Sequence, residues 1–159
     1  MLDHPFPPFF DASSTILILG SFPSVRSRED GFFYGHPQNR FWRVLAAVFD
    51  EAEMPQTIEQ KKQLLVRHHV ALWDVAASCE IDGSADSSLR NVVGNDLSVI
   101  LDHAPIKRIF LNGKAAERYY RLLIEPSIGR TATVLPSTSP ANAAWSLERL
   151  TEAWRIIKE

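Results

Sequence analysis

Cysteine is nearly absent: Cys79 is the only one among 159 residues. A single cysteine excludes an internal disulfide and a four-cysteine zinc or iron–sulfur site, and it fits a reducing compartment. No apolar run approaches the roughly twenty residues of a membrane-spanning helix. The first residues, MLDHPFPPFFD, are acidic and broken by proline, unlike a targeting segment. A cytoplasmic location with no membrane partner is therefore expected. The five histidines (His4, His36, His68, His69 and His103) show no His-x-x-x-His spacing, so neither a metal site nor a cofactor is expected. There is no Gly-x-Ser-x-Gly nucleophile elbow. Gly113-Lys114 resembles the tail of a phosphate loop, but Arg108 stands where the first glycine of that loop is required. Excess positive charge is lacking too, the net charge being −2. Six cations nevertheless crowd the stretch Lys107–Arg130, against Glu117 and Glu125, which could give a neutral chain one basic face.

What the chain does have is a dense stretch from Ile16 to Trp42, ILILGSFPSVRSREDGFFYGHPQNRFW. Ile16–Leu19 reads as a buried parallel strand that Gly20 ends. About twenty residues follow before helical spacing begins, a loop length that in a compact domain is usually functional. The loop leaves the carboxyl end of the first strand, where open α/β sheets bind ligands.

The remaining chain alternates strands and helices. Residues 1–13 are expected to be extended because of Pro5, Pro7 and Pro8, with Phe6, Phe9 and Phe10 clamping them to the core. Phe41, Trp42, Leu45, Val48 and Phe49 share one helical face, and Thr57 to Gln60 is a capping box opening a second helix. Val70–Val75, Ile106–Leu111 and Thr131–Leu135 read as further strands. Asn95 is placed to cap a helix running to His103. A helix with Ala115, Ala116, Tyr119, Leu122 and Leu123 follows Asn112-Gly113, and a last one, beginning at Asn142, carries Leu147, Leu150, Trp154 and Ile157 at core-facing intervals. The strand Val70–Val75 ends in a segment rich in Ser, Gly and Asp from Ser78 to Ser88. The expected fold class is α/β: one domain spanning 1–159, a three-layer α/β/α sandwich around a central four-stranded, mainly parallel sheet.

GSFPS, YGHPQNRFW, LWDVAASC, FLNG and LPSTSPANA fall in that order at successive strand ends, from Gly20 to Ala143. Together they resemble the uracil-DNA glycosylase superfamily, most closely its hypoxanthine-DNA (deoxyinosine) glycosylase branch. The resemblance implies a monofunctional DNA glycosylase that excises hypoxanthine from DNA. Its partner would be DNA containing a deaminated base, and the protein would act as a monomer. In uracil-excising relatives the first motif carries an Asn or Asp that handles the attacking water. Here Phe22 holds that position, beside Ser21, and the branch relies instead on the asparagine of His-Pro-x-Asn, which is Asn39. Tyr34 matches the aromatic on which relatives stack the flipped base.

The chemistry is compatible. Hypoxanthine offers O6 as acceptor and N1–H as donor, and a carboxamide such as Asn112 complements both. Asn39 does not titrate near neutrality, but it can orient a water beneath C1′ and stabilise an oxocarbenium-like sugar. Ser137, Thr138 and Ser139 suit phosphates, Pro140-Ala141 could wedge into the vacated stack, and Asn142 could place a helix N-terminus near a phosphate. Plainer roles stand beside these. Asn39 would serve as a helix cap, Tyr34 as core, Asn112-Gly113 as a turn pair, and Asp74 as a hydrogen-bonder to loop backbone. Functionally, the alternatives are a uracil or broad deaminated-base glycosylase, or a module that binds a damaged base without cleaving it.

Overall fold

The computed structural model describes residues 1–81 and 89–159. Its centre is a four-stranded parallel sheet of order β3-β2-β6-β7, built from β2 (Ile16–Gly20), β3 (Val70–Asp74), β6 (Arg108–Asn112) and β7 (Thr133–Leu135). The registers Ile16↔Val70, Ile16↔Arg108 and Phe110↔Thr133 align the carboxyl ends of all four strands along one rim. Every residue of β2 and β3 is buried, as near-continuous apolar runs require when helices cover both faces.

Helix α2 (Phe41–Val48) buries Phe41, Trp42, Val44, Leu45 and Val48, and packs on α7 (Leu147–Trp154). Helix α3 (Ile58–Arg67) opens with the full capping box of Thr57 and Gln60. The amino-terminal segment is clamped as expected: Phe6 is buried, and Phe9 exchanges two backbone hydrogen bonds with Leu72 of β3.

Several elements differ from the sequence reading. A second, antiparallel sheet of order β1-β4-β5 joins β1 (Leu2–Asp3), β4 (Ala76–Glu80) and β5 (Arg90–Gly94). The segment Ser78–Ser88 is thus partly strand, and its residues 82–88 lie outside the described ones. The long loop after β2 contains α1 (Val25–Asp30), capped by the Ser24 hydroxyl, which accepts from Ser27 N–H, and closed by Gly31 in the left-handed region. Asn95 caps nothing. Its Nδ2 donates to the Asp74 carbonyl at 2.8 Å, and the helix beyond it, α4, is only Ser98–Leu101.

The helix after Gly113 is α5 (Lys114–Tyr119), and it widens into a π-helical turn, Tyr120–Ile124, ahead of α6 (Glu125–Ile128). Pro126, which cannot donate a backbone hydrogen bond, sits in the first turn of α6. The extra residue of the wider turn moves the buried face to Ala116, Tyr120 and Ile124, and leaves Leu122 exposed. The last helix starts at Leu147 with Ser146 as its cap, so Asn142 does not begin it and Leu147 lies exposed. No helix among the described residues is long and apolar enough to cross a membrane.

Candidate active site

Gly20, Asp74, Asn112 and Leu135 end the four parallel strands and line one open cavity of about 910 Å³. The strand order reverses between β2 and β6, which is where such sheets leave a crevice. A Cβ on Gly20 would lie 2.5 Å from Asp74 Oδ1 and 2.9 Å from Tyr34 Oη. Only glycine lets those polar atoms close over the strand end. At the next rim position, Gly113 has φ +96°, and a side chain there would meet Ser137.

Tyr34 sits in the left-handed region (φ 54°), unusual for a bulky residue and characteristic of functional sites. Its ring stacks on Phe41 at 3.9 Å, while the residue also lines the cavity. His36 Nδ1 accepts from Gln38 N–H at 3.1 Å. A backbone N–H can only donate, so the neutral ring carries its proton on Nε2.

Asn39, Asn112 and Thr138 form one connected chain of hydrogen bonds. Asn39 Oδ1 accepts from Phe41 N–H at 2.9 Å, at the first residue of α2, and from the Thr138 hydroxyl at 2.8 Å. Asn112 donates through Nδ2 to Thr138 Oγ1 at 3.0 Å, and its Oδ1 accepts from Thr138 N–H at 3.1 Å. Asn112 therefore keeps one N–H and one oxygen lone pair for anything else. The N-cap position of α2 is Arg40 rather than Asn39, but the Asn39 oxygen still anchors the first helical N–H while the residue lines the cavity.

Thr138 is fully buried, and its hydroxyl is committed to the two asparagines, so it does not present itself to a phosphate. Its neighbours do reach the surface: Pro140 and Ala141 are exposed, and Ser139 is half-buried. Ser137 Oγ accepts from Ser139 N–H, Ser139 Oγ from Ala141 N–H, and Asn142 Nδ2 donates to the Ser137 carbonyl. Sequence reasoning missed the residue that fastens this loop. Arg40 donates from one guanidinium to the carbonyls of Ser139 (3.2 Å), Asn142 (3.0 Å) and Trp145, and its backbone N–H donates to the Thr138 carbonyl (3.1 Å). Its position immediately before the amphipathic pattern of α2 was the available signal.

Phe22 is buried against Ala76, Cys79 and Leu89, at the cavity's border with the second sheet. Ser21 is buried beside it, and its carbonyl accepts from Ala76 N–H. Asp74 bonds to His4, Oδ2 to Nε2 at 2.8 Å, with each side chain only 5% exposed. Part of the basic stretch is engaged within the molecule, while Lys107, Lys114, Arg118 and Arg121 stay exposed. Arg108 donates to the carbonyls of Ile156 and Ile157, Arg130 to that of Ile106, and Arg121 pairs with Glu117. Lys114 is the member that lines the cavity. Among the described residues, no group of three or more His, Cys, Asp or Glu is placed to hold a metal.

Comparison with known proteins places this arrangement. The family model of the uracil DNA glycosylase superfamily matches residues 7–158. A protein of Methanosarcina acetivorans named hypoxanthine DNA glycosylase is 35% identical over 158 residues, covering 99% of this chain and 98% of its own. One of the same name from Methanosarcina barkeri is 33% identical over 150 residues, covering 94% and 93%. A solution NMR structure of a candidate uracil DNA glycosylase from Methanosarcina acetivorans superposes with a TM-score of 0.80, at 32% identity and full coverage of both chains. With its family model spanning nearly the whole sequence, the chain belongs to the uracil DNA glycosylase superfamily.

Proposed function

We propose that the protein is a monofunctional DNA glycosylase that hydrolyses the N-glycosidic bond of deoxyinosine, releasing hypoxanthine and leaving an abasic site. The reading takes residues 1–159 as one catalytic domain acting as a monomer on DNA that contains a deaminated base. The observation that carries it is the pairing of Asn39 with Asn112 across Thr138 beside the Tyr34 ring, in a cavity whose first motif presents Phe22 in place of a water-handling residue. Two relatives at 33% and 35% identity bear the name hypoxanthine DNA glycosylase, which supports the same substrate.

The steps follow from the groups present. The nucleotide is flipped out of the duplex at a cost of a few kcal/mol. Tyr34, backed on one face by Phe41, stacks on the base; such stacking is worth about 1–3 kcal/mol. Asn112 offers its remaining N–H to O6. Phe22 and Ser21 form the wall beside the base. The loop 137–142 holds the backbone: Ser137, Ser139 and Asn142 border the phosphates, and the exposed Pro140-Ala141 tip fills the gap in the stack. Breaking the C1′–N9 bond leaves the electron pair on the purine and an oxocarbenium-like sugar, which water captures. Asn39 is the catalytic residue. An amide contributes by hydrogen bonding and orientation rather than by titrating, which is adequate for so dissociative a reaction.

The test is cleavage of labelled oligonucleotides carrying deoxyinosine, deoxyuridine or neither, developed with alkali, for the wild type and Asn39→Ala. Deoxyinosine cleavage that is lost in Asn39→Ala is expected. Preferential uracil cleavage would move the protein to the uracil-excising branches. Lesion binding without cleavage of either would make it a recognition module.

A further inference from the structure

The chain of bonds around Thr138 has a direction, and two backbone amides fix it. The carboxamide atom 2.9 Å from Phe41 N must be an oxygen, because a backbone N–H only donates. The Asn112 atom 3.1 Å from Thr138 N is an oxygen for the same reason. The other end of Asn112 is then its amino group, which donates to Thr138 Oγ1. A hydroxyl has one proton, so Thr138 directs it to Asn39 Oδ1 at 2.8 Å. That oxygen now accepts two hydrogen bonds, one from helix α2 and one from the loop after β7. Nothing among the described residues accepts from Asn39 Nδ2, on a half-buried residue that lines the cavity.

We propose that Thr138 is a positioning residue that holds the Asn39 oxygen inward, so that Asn39 faces the substrate with its amino group, as a hydrogen-bond donor rather than as an acceptor that draws a proton from water. This deepens the assignment of Asn39 above and rests on it. As the C1′–N9 bond breaks, its electron pair and the developing negative charge leave with the purine. A preoriented N–H on that ring stabilises the charge without reorganising. Water adds its oxygen to C1′ and loses a proton to solvent, and the purine anion takes one up. No proton passes through Asn39, and none is needed. Thr138 contributes at no distance from its partners: its N–H, hydroxyl and carbonyl are all engaged, the last by Arg40 N–H at 3.1 Å. It is also fully buried, so its hydroxyl has no solvent role to confuse with this one.

Single-turnover cleavage of a deoxyinosine duplex separates the possibilities. Thr138→Val keeps the shape and removes both hydroxyl bonds; the rate is expected to fall about thirtyfold while duplex affinity changes less than about threefold. Thr138→Ser restores the hydroxyl and should restore most of the rate. In an Asn39→Ala background, Thr138→Val should cost nothing further, since the two act as a unit. Asn39→Asp is the sharper variant. Its carboxylate still accepts both bonds but donates none, so it should be inactive at neutral pH and recover as the carboxyl protonates. An Asn39→Asp enzyme active at neutral pH, or a Thr138→Val loss that persists in full beside Asn39→Ala, would overturn the proposal.

A readout without substrate keeps it separate from the choice of reaction. The Phe41 amide proton resonance should move in Thr138→Val toward its Asn39→Ala position and stay in place in Thr138→Ser. An unmoved Phe41 amide in Thr138→Val would refute the positioning role even if deoxyinosine is cleaved. A moved one would support it even if the lesion proves to be another base.

Discussion

Replacing Arg40 with alanine is the most informative perturbation of the loop that closes the site. One half-buried guanidinium donates to three carbonyls spread over residues 139–145. A hydrogen bond from a charged donor is worth about 1.5–3 kcal/mol net, and partial exposure argues for the lower end. Three such bonds would sum to about 4–5 kcal/mol if independent. The freed carbonyls can turn to water, which recovers roughly half, so a loss of about 2–3 kcal/mol is expected. For a domain of this size that corresponds to a fall in Tm of about 5–10 °C. Urea titration followed by circular dichroism gives the free energy directly. Arg40→Lys is the internal control: an ammonium reaches one carbonyl at a time and lacks the planar fork, so it should recover only a minor part. Because the loop would lose its fixed shape, duplex binding should weaken in step with stability. An Arg40→Ala protein within about 0.5 kcal/mol of wild type would refute the reasoning, as would full recovery by lysine.

Gly20→Ala puts a methyl 2.5 Å from Asp74 Oδ1 and 2.9 Å from Tyr34 Oη, so it should destabilise by about 1–3 kcal/mol and displace Tyr34. Thermal melts together with deoxyinosine cleavage would check both effects, and an unchanged rate would show that Tyr34 does not need its observed seat. Glu51 gives a pH-dependent expectation. The hydrogen bond from Arg67 holds its carboxyl below the ordinary value of 4.5, with desolvation opposing and the Arg67 and His68 charges assisting. A carboxyl lowered by folding stabilises above its unfolded value, and that contribution disappears as pH falls through the folded value. Since the pair lies near the surface, Glu51→Gln should cost at most about 1 kcal/mol at neutral pH and nothing in strong acid. Denaturant titrations at both extremes would reveal the convergence; a penalty that grows on acidification would contradict the assignment.

The parallel sheet was legible because its strands carry their burial in their composition. Ile16–Leu19 and Val70–Trp73 are apolar throughout, as only strands covered on both faces are. The capping box at Thr57 was equally plain. The antiparallel sheet was not, because AASCE and RNVVG are short, half polar and without clean alternation. Leu122 lies exposed because the chain takes a π turn where a regular period of 3.6 would have carried it toward the core. At the site, the family motifs located Asn39, Tyr34 and Asn112 at one cavity. They did not reveal that Thr138 lies between the two asparagines. A threonine in PSTSPANA looks like a surface hydrogen-bonder, and only the path of the loop over β6 and α2 buries it. The cations between Lys107 and Arg130 looked like a docking face, but Arg108 and Arg130 tie down backbone carbonyls elsewhere.

The position of β2 at the middle of the sheet also bears on how the protein is made. It leaves the ribosome before both of its lateral partners, which begin roughly fifty and ninety residues later. During that interval ILILG has no strand to pair with, and such long-range closure is the slow kind in folding. A nascent chain that is stalled or truncated before Arg108 would leave one edge of the apolar strand β2 unpaired, the kind of surface that aggregates or recruits chaperones. Yield of this protein in a cell should therefore respond more to the speed and completeness of translation past β6 than to the stability of the finished fold.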